Sequence, residues 1–337
     1  MKKRILALTC TAVLAISVLS GCGAKPPAST PAPAPSGALA ESTAPVEFPT
    51  KDITMVVPYD AGGGVDLTTR LMTDAIGKSF NGHSVIVQNV SGGGGAVGQT
   101  TVKNSAPDGY TLLAYTSSVV NNPQLKEVDF VLEDFKPLAC VCFDPEVILV
   151  PANSPYNTFE ELIAAAKEKT INVSTSGAMT AHHLDGVKIQ MATGADFAYI
   201  HCDSAPTQKQ ELIGGHTDAA IFPLGEIIDA INDGTVKALA IALSERSDKV
   251  PDVPTYTECG VPLVDGAFRG FACPAGVPNA EFETLKNVFE EVAQSQAFID
   301  SMEQAGIPYL YMGAEEFQQY ARDASAALAD VVAFMNQ

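Results

Sequence analysis

The residues best suited to chemistry lie in loops that join β-rich runs to helical patterns. Pro58-Tyr59-Asp60-Ala61-Gly62-Gly63-Gly64-Val65-Asp66 leads from a strand over 53–58 into a helix over 65–76. Three successive glycines let the backbone approach a ligand closely. The first N–H groups of the helix have no internal acceptor. Such a turn binds an anion through backbone donors, without a basic side chain. Tyr59, Asp60, Ala61, Gly62, Gly63 and Gly64 are therefore candidate ligand contacts, and Asp66 reads as a first-turn acid that complements the helix dipole. Tyr115-Thr116-Ser117-Ser118 closes a strand over 111–115, and Ser174-Thr175-Ser176-Gly177-Ala178-Met179-Thr180 joins a strand over 171–174 to a helix over 182–192. Both loops supply hydroxyls where a cleft should open. Ser117, Ser118, Ser174, Thr175, Ser176 and Gly177 join the candidates, with His182 at the helix start and Phe222 closing a strand over 219–222.

Other motifs carry less. Gly93-x-Gly95-x-x-Gly98 fits a dinucleotide fingerprint, but it follows the second strand, and the next strand ends in Thr116-Ser117 rather than an acid. Gly93-x4-Gly98-Gln99-Thr100 has Gln where a P-loop needs Lys. His182-His183 with Asp185 is poorly spaced for a metal, and a structural role at the helix start is the expectation. No Gly-x-Ser-x-Gly elbow and no nucleophile–base pair at recognisable spacing occur. No catalytic residue, metal or cofactor is expected.

The elements that must position these loops alternate. Further strands are expected over 85–89, 147–150, 197–200 and 238–242, and further helices over 96–104, 158–169 (Thr158 as cap), 207–213, 226–232, 281–295 and 315–335. Alternation of this kind argues for α/β architecture with mainly parallel sheets. The pattern restarts after Asn121-Asn122-Pro123, which argues for two lobes with the ligand at the carboxyl ends of strands between them.

The chain has 337 residues, 46% hydrophobic and 18% charged, enough for a large core. Its 20 Lys+Arg against 39 Asp+Glu give a net charge of −19, which excludes a typical nucleic-acid binder. Trp is absent and aromatics make up 7%, which weakens any reading based on stacking platforms. Lys2, Lys3 and Arg4, an apolar run over 5–19 and Leu19-Ser20-Gly21-Cys22 form a secretory-signal pattern, too short for a membrane span. Cys22 after Leu-Ser-Gly resembles the lipidated cysteine of a bacterial lipoprotein. Residues 22–47 read as a Pro/Ala/Ser-rich tether. Removing residues 1–21 removes three positive charges and deepens −19 to −22. The five remaining cysteines, Cys140, Cys142, Cys202, Cys259 and Cys273, are odd in number and match no zinc spacing, so buried free thiols are expected, with Cys140 and Cys142 on one face of a strand.

The ordered series Val57-Pro58-Tyr59, Ala61-Gly62-Gly63, Asp66 and Arg70, then Gly93, Gly95 and Gly98, then Ala106-Pro107-Asp108-Gly109-Tyr110-Thr111-Leu112-Leu113, resembles the Bug (Bordetella uptake gene) family, the TctC-like extracytoplasmic receptors of tripartite tricarboxylate transporters. The likeness continues through Ser154-Pro155, Ser176-Gly177, His182-His183-Leu184, Leu212-Ile213-Gly214-Gly215, Pro251-Asp252-Val253-Pro254-Thr255 and Pro274-Ala275-Gly276-Val277-Pro278. It implies a two-lobed periplasmic-binding-protein (Venus flytrap) fold, with lobe 1 over 48–118 and 243–337 and lobe 2 over 119–242. It also implies that the loops Tyr59 to Gly64 and Ser174 to Gly177 pinch a ligand carboxylate. The partners implied are a small carboxylate-bearing ligand and the large and small membrane subunits of the transporter, with the receptor a lipid-anchored monomer outside the cytoplasm. Where the family usually has Pro-Tyr-Lys-Gly, this chain has His201-Cys202-Asp203-Ser204. An acid at Asp203 facing the cleft would favour a monocarboxylate, amino-acid-like or amide ligand; capping the helix at Thr207 or facing solvent are its other readings. Arg269 is a possible cleft cation or a surface residue. A sensor presenting its ligand to a membrane kinase and, more distantly, a secreted hydrolase are the competing functions.

Overall fold

The computed structural model describes residues 47–336. The signal-like segment, Cys22 and all but the last residue of the tether lie outside the described residues. In chain order the elements are β1 (Ile53–Val57), α1 (Gly64–Ile76), β2 (Val85–Asn89), α2 (Ala96–Lys103), β3 (Thr111–Thr116), α3 (Ser117–Leu125), β4 (Phe135–Pro151), α4 (Phe159–Ala166), β5 (Ile171–Thr175), α5 (Ala181–Thr193), β6 (Phe197–His201), α6 (Ala205–Ile213), β7 (Ala219–Pro223), α7 (Leu224–Asn232), β8 (Val236–Ile241), β9 (Gly266–Pro274), α8 (Asn279–Ala293), α9 (Gln296–Gln304), β10 (Tyr309–Gly313), α10 (Ala314–Ala326) and α11 (Ala329–Met335).

The strands run in the order β2-β1-β3-β9-β4-β7-β5-β6, with β8 and β10 also on β4. The strands that feed the site fall in two parallel sets: β1 with β2 and β3, and β5 with β6 and β7. Their crossovers are the helices, which pack on the faces of the sheet. Antiparallel β9 and β4 join the two parallel sets. β4 belongs to both halves: Phe135 to Pro145 pair with β9, and Glu146 onward pair with β7 and β8. The expected lobe divisions at 118/119 and 242/243 do not coincide with this exchange. β4 through Pro145 pairs in the first half, and Val119 and Val120 of α3 pack there with Tyr115 and Phe135, while Tyr256, Val261 and Leu263 join the second half's core with Phe159 and Ile171.

Most elements follow local signals. Thr158 caps α4, its Oγ1 accepting from the Glu161 N–H at 3.2 Å, while Glu161 Oε2 accepts from the Asn157 N–H. α5 stops at Gly194, whose φ of +73° suits glycine. Three strands or strand segments were absent from the sequence reading: β9, β10 and the first part of β4, which the 147–150 expectation truncated. Pro123, read as a break, lies inside α3; its missing N–H costs one helix bond, and the helix ends within a turn. Cys140 and Cys142 do not share a face. A register shift between them sends Cys140 into one core cluster and Cys142 into another. All five described cysteines are free; Cys259 alone is partly exposed.

Candidate functional site

Four helices begin at one cleft. Gly64 and Val65 open α1, Ser117 and Ser118 open α3, Ala181 and His182 open α5, and Ala205 opens α6; all line one cavity, part of it open to solvent. Each helix follows a strand's carboxyl end, so the topology delivers four N-termini to the same place. Unsatisfied N–H groups and the positive end of each helix dipole make this a donor-rich wall. Ser204 caps α6, its Oγ accepting from the Thr207 N–H at 3.4 Å. Ser204, and not Asp203, is therefore the cap of this helix.

The turn into α1 is shaped by Asp66. Its carboxylate accepts from the Gly62 N–H (2.9 Å), from Arg70 Nε and Nη2 (2.9 Å each) and from Asn89 Nδ2 (3.0 Å). Burial pushes its pKa up, but Arg70, Gly62 and Asn89 together hold it below the usual carboxylate range. Asp66 is thus the fastener of the glycine turn, beyond its dipole role. Inside the cleft the hydroxyls are linked. Tyr59 Oη lies 2.8 Å from Ser118 Oγ, which accepts from Gln99 Nε2 at 2.6 Å and lies 3.0 Å from Thr116 Oγ1. Asn122 Nδ2 donates to Gln99 Oε1 at 2.8 Å, which fixes the amide. Burial raises the Tyr59 pKa, so its phenol stays protonated. From the other half, Ser176 Oγ sits 3.2 Å from His182 Nδ1. Burial, helped by the nearby Arg269 charge, lowers the His182 pKa to about 3, so the ring is neutral.

Arg269 is neither a surface residue nor a free cation. It is 2% exposed and bonds two acids through Nη2: Asp144 Oδ2 at 3.2 Å and Glu226 Oε1 at 2.5 Å. Burial raises the pKa of both acids while Arg269 pulls against it. One guanidinium shared by two carboxylates leaves no positive charge for a ligand. Gly64 lies close against this pair: a Cβ on it would stand 2.2 Å from Glu226 Oε1 and 2.7 Å from Arg269 Nη2, so both side-chain ends would have to shift.

Of the residues expected at the site, Tyr59, Asp60, Gly63, Gly64, Ser117, Ser118, Ser176, His182 and Arg269 line this cavity. Ala61 and Gly62 belong to its turn without lining it. Ser174 and Thr175 are fully buried behind it, Ser174 accepting from Thr217 and Thr175 lying 2.7 Å from His201 Nδ1. Phe222 lies beneath, its ring 6.1 Å from that of His182. Gly177 and Asp203 line an adjoining space, together with Gly92 to Gly95, Lys126, Ala178, His201 and Cys202. The two spaces share Tyr59 and Ser176. Thr116 and Thr180, from the two hydroxyl-rich loops, also line the first cavity, as do Val65, Ala181, Ser204, Ala205, Glu226, Ala267 and Phe268, which no loop motif marks as ligand contacts. Glu226 had a usable signal: it stands in the first turn after β7, the same strand-to-helix position as the residues that were found. His183 packs on Tyr199 and His201 and accepts from the Met179 N–H. No cluster able to hold a metal occurs among the described residues.

A two-part α/β sheet with helix N-termini converging on a central cleft defines a solute-binding protein. Residues 68–336 match the model of the tripartite tricarboxylate transporter family receptor, TctC, and the chain belongs to that family. It is 30% identical to a UPF0065 protein of Bordetella bronchiseptica, over 84% of this chain and 83% of the relative, and 29% identical to protein BugT of Bordetella pertussis, over 85% and 89%. Among solved structures it is similar to the periplasmic binding protein BugD (26% identity, TM-score 0.78, covering 84% of this chain and 97% of that one). It is also similar to MatC from Rhodopseudomonas palustris with bound malate (25%, TM-score 0.79, covering 85% and 100%). The family is one of transporter receptors, not enzymes.

Proposed function

We propose that the chain is an extracytoplasmic lipoprotein, anchored through Cys22, that captures a small carboxylate by backbone and hydroxyl donors and hands it to the large and small membrane subunits of a tripartite tricarboxylate transporter. The two halves of the sheet act as lobes, and the receptor works as a monomer. The observation that carries this reading is the convergence of four helix N-termini on a cleft whose one arginine is already neutralised by two acids. A carboxylate is held there by the N–H groups of α3, α5 and α6 with the hydroxyls of Ser117, Ser118 and Ser176, a donor set that needs no basic side chain. The acids Asp60 and Glu226 in the cleft, and Asp203 in the adjoining space, favour a monocarboxylate, amino-acid-like or amide ligand over one with several carboxylates.

A thermal-shift screen of protein lacking residues 1–23 tests this, with di- and tricarboxylates, aromatic acids, amino acids and their amides. A ligand at 100 times its Kd adds about 2.7 kcal/mol, or on the order of 5 °C. Stabilisation confined to carboxylate-bearing compounds is the expected outcome; stabilisation by none of them defeats the reading.

A further inference from the structure

The cleft carries an acid of its own at the place where α1 offers its N-terminus. Glu226, from the first turn of α7, reaches across to Arg269 Nη2 at 2.5 Å, with its side chain 13% exposed toward the cavity. Asp144, fully buried, takes the same nitrogen from the other side at 3.2 Å. The close fit of Gly64 against Glu226 Oε1 shows that this carboxylate already lies against the start of α1. Asp60 lines the same cavity. The cavity is therefore divided in chemistry. The starts of α3, α5 and α6 present donors, while Glu226 and Asp60 present acceptors. A second carboxylate placed against Glu226 would meet like charge, and the Arg269 charge beside it is already shared with Asp144.

We propose that Glu226 is the specificity-determining residue of this receptor, and that it selects ligands whose far end offers a hydrogen-bond donor, an ammonium or hydroxyl, instead of a second carboxylate. The proposal rests on the carboxylate-receptor reading above. It moves the selecting acid from Asp203, which lines only the adjoining space, to a residue inside the cleft.

The test is isothermal titration with length-matched probes: succinate, 4-hydroxybutyrate and 4-aminobutyrate, then glutarate and 5-aminopentanoate. The amino or hydroxy compound should bind at least tenfold tighter than its dicarboxylate counterpart. In Glu226→Gln that preference should collapse to within threefold. Glu226→Asp, which draws the carboxylate back by one methylene, provides the check if the first variant does not fold; the ratio of its affinities should shift toward 5-aminopentanoate over 4-aminobutyrate relative to the unaltered protein. Dicarboxylates binding as tightly as their amino partners in the unaltered protein overturn the proposal and leave the carboxylate-receptor reading standing. A preference that survives Glu226→Gln unchanged overturns it too. If no probe of any kind binds, the carboxylate reading itself fails and takes the proposal with it.

Discussion

Single residues in this molecule are held in unusual protonation states, and stability should record it. His182 and His183 are buried, and their pKa values fall to about 3 from the ordinary 6.5. An unfolded chain takes up protons that these rings refuse, so stability drops as pH falls from 6.5 toward 3. Asp185, fully buried near Asp265, Lys188 and Tyr256, has its pKa raised to about 8 by burial and by the Asp265 charge. There the folded protein keeps a proton that the unfolded chain releases, so stability is lost as pH rises from 3.8 toward 8. Glu146, also fully buried with no hydrogen-bond partner for either oxygen, shifts in the same direction. Between pH 6.5 and 8 the histidines no longer matter and the acids do, so the melting temperature should decline there. Asp185→Asn imitates the protonated acid. It should remove on the order of 2 kcal/mol of that decline, visible as a shallower fall in melting temperature between pH 6.5 and 8. An equally steep fall in the variant would assign the loss elsewhere.

At the scale of elements, α3 does more than follow β3. Near its end Lys126 donates to the Gly93 carbonyl at 2.6 Å and to the Ala178 carbonyl at 3.0 Å. Asn121 Nδ2 donates to the Met179 carbonyl at 3.0 Å, and Asn122 Nδ2 to the Gly94 carbonyl at 3.3 Å. The loop after β2 and the loop after β5 are thus tied to one helix across the cleft. They touch so closely that a Cβ on Gly94 would lie 2.0 Å from the Ala178 oxygen. Lys126 makes no ion pair among the described residues; two carbonyl dipoles solvate its ammonium, and burial lowers its pKa. Lys126→Met should release both loops. Amide hydrogen exchange over 92–95 and 176–180 should speed by about tenfold or more in each loop, the worth of one charge-assisted bond, while β1 and β5 keep their protection. Asn121→Ala should free only the second loop. These ties were not legible in the sequence. Asn121-Asn122-Pro123 reads as a loop because Pro is a poor helix former, and nothing local says that the two amides reach different loops. β9 and the first part of β4 were missed for a related reason: both are buried on both faces, so their apolar residues do not alternate.

For the molecule as a whole, the net charge after removal of residues 1–21 falls from −19 to −22, so capture of an anion gains no long-range attraction. Binding should therefore not weaken with salt. Between 20 and 500 mM sodium chloride, affinity for a carboxylate should hold within about twofold or improve as repulsion is screened. A tenfold loss would point to a free cation in the cleft. The outline of the molecule and the place of the cleft were readable, because glycine and serine clusters after strands mark the carboxyl edge of an α/β sheet. The charge balance inside the cleft was not readable. Arg269 meets Glu226 43 positions away and Asp144 125 positions away, and sequence patterning cannot report which distant acids neutralise an arginine.

β4 is the one strand common to both halves. At about 3.3 Å per residue its 17 residues form a rod of roughly 55 Å, bonded along its flanks at both ends. Register shifts near Pro137 and Cys140, and the change of partners at Pro145, are the places where that rod is least braced. The chain crosses between the halves a second time at Asp265–Gly266, so relative movement of the halves would twist this segment together with that crossing. The molecule is built like a leaf spring and not like a door on a pin, so its opening angle should grow smoothly with load, and stiffening the middle of β4 should narrow its range of angles without moving the resting position.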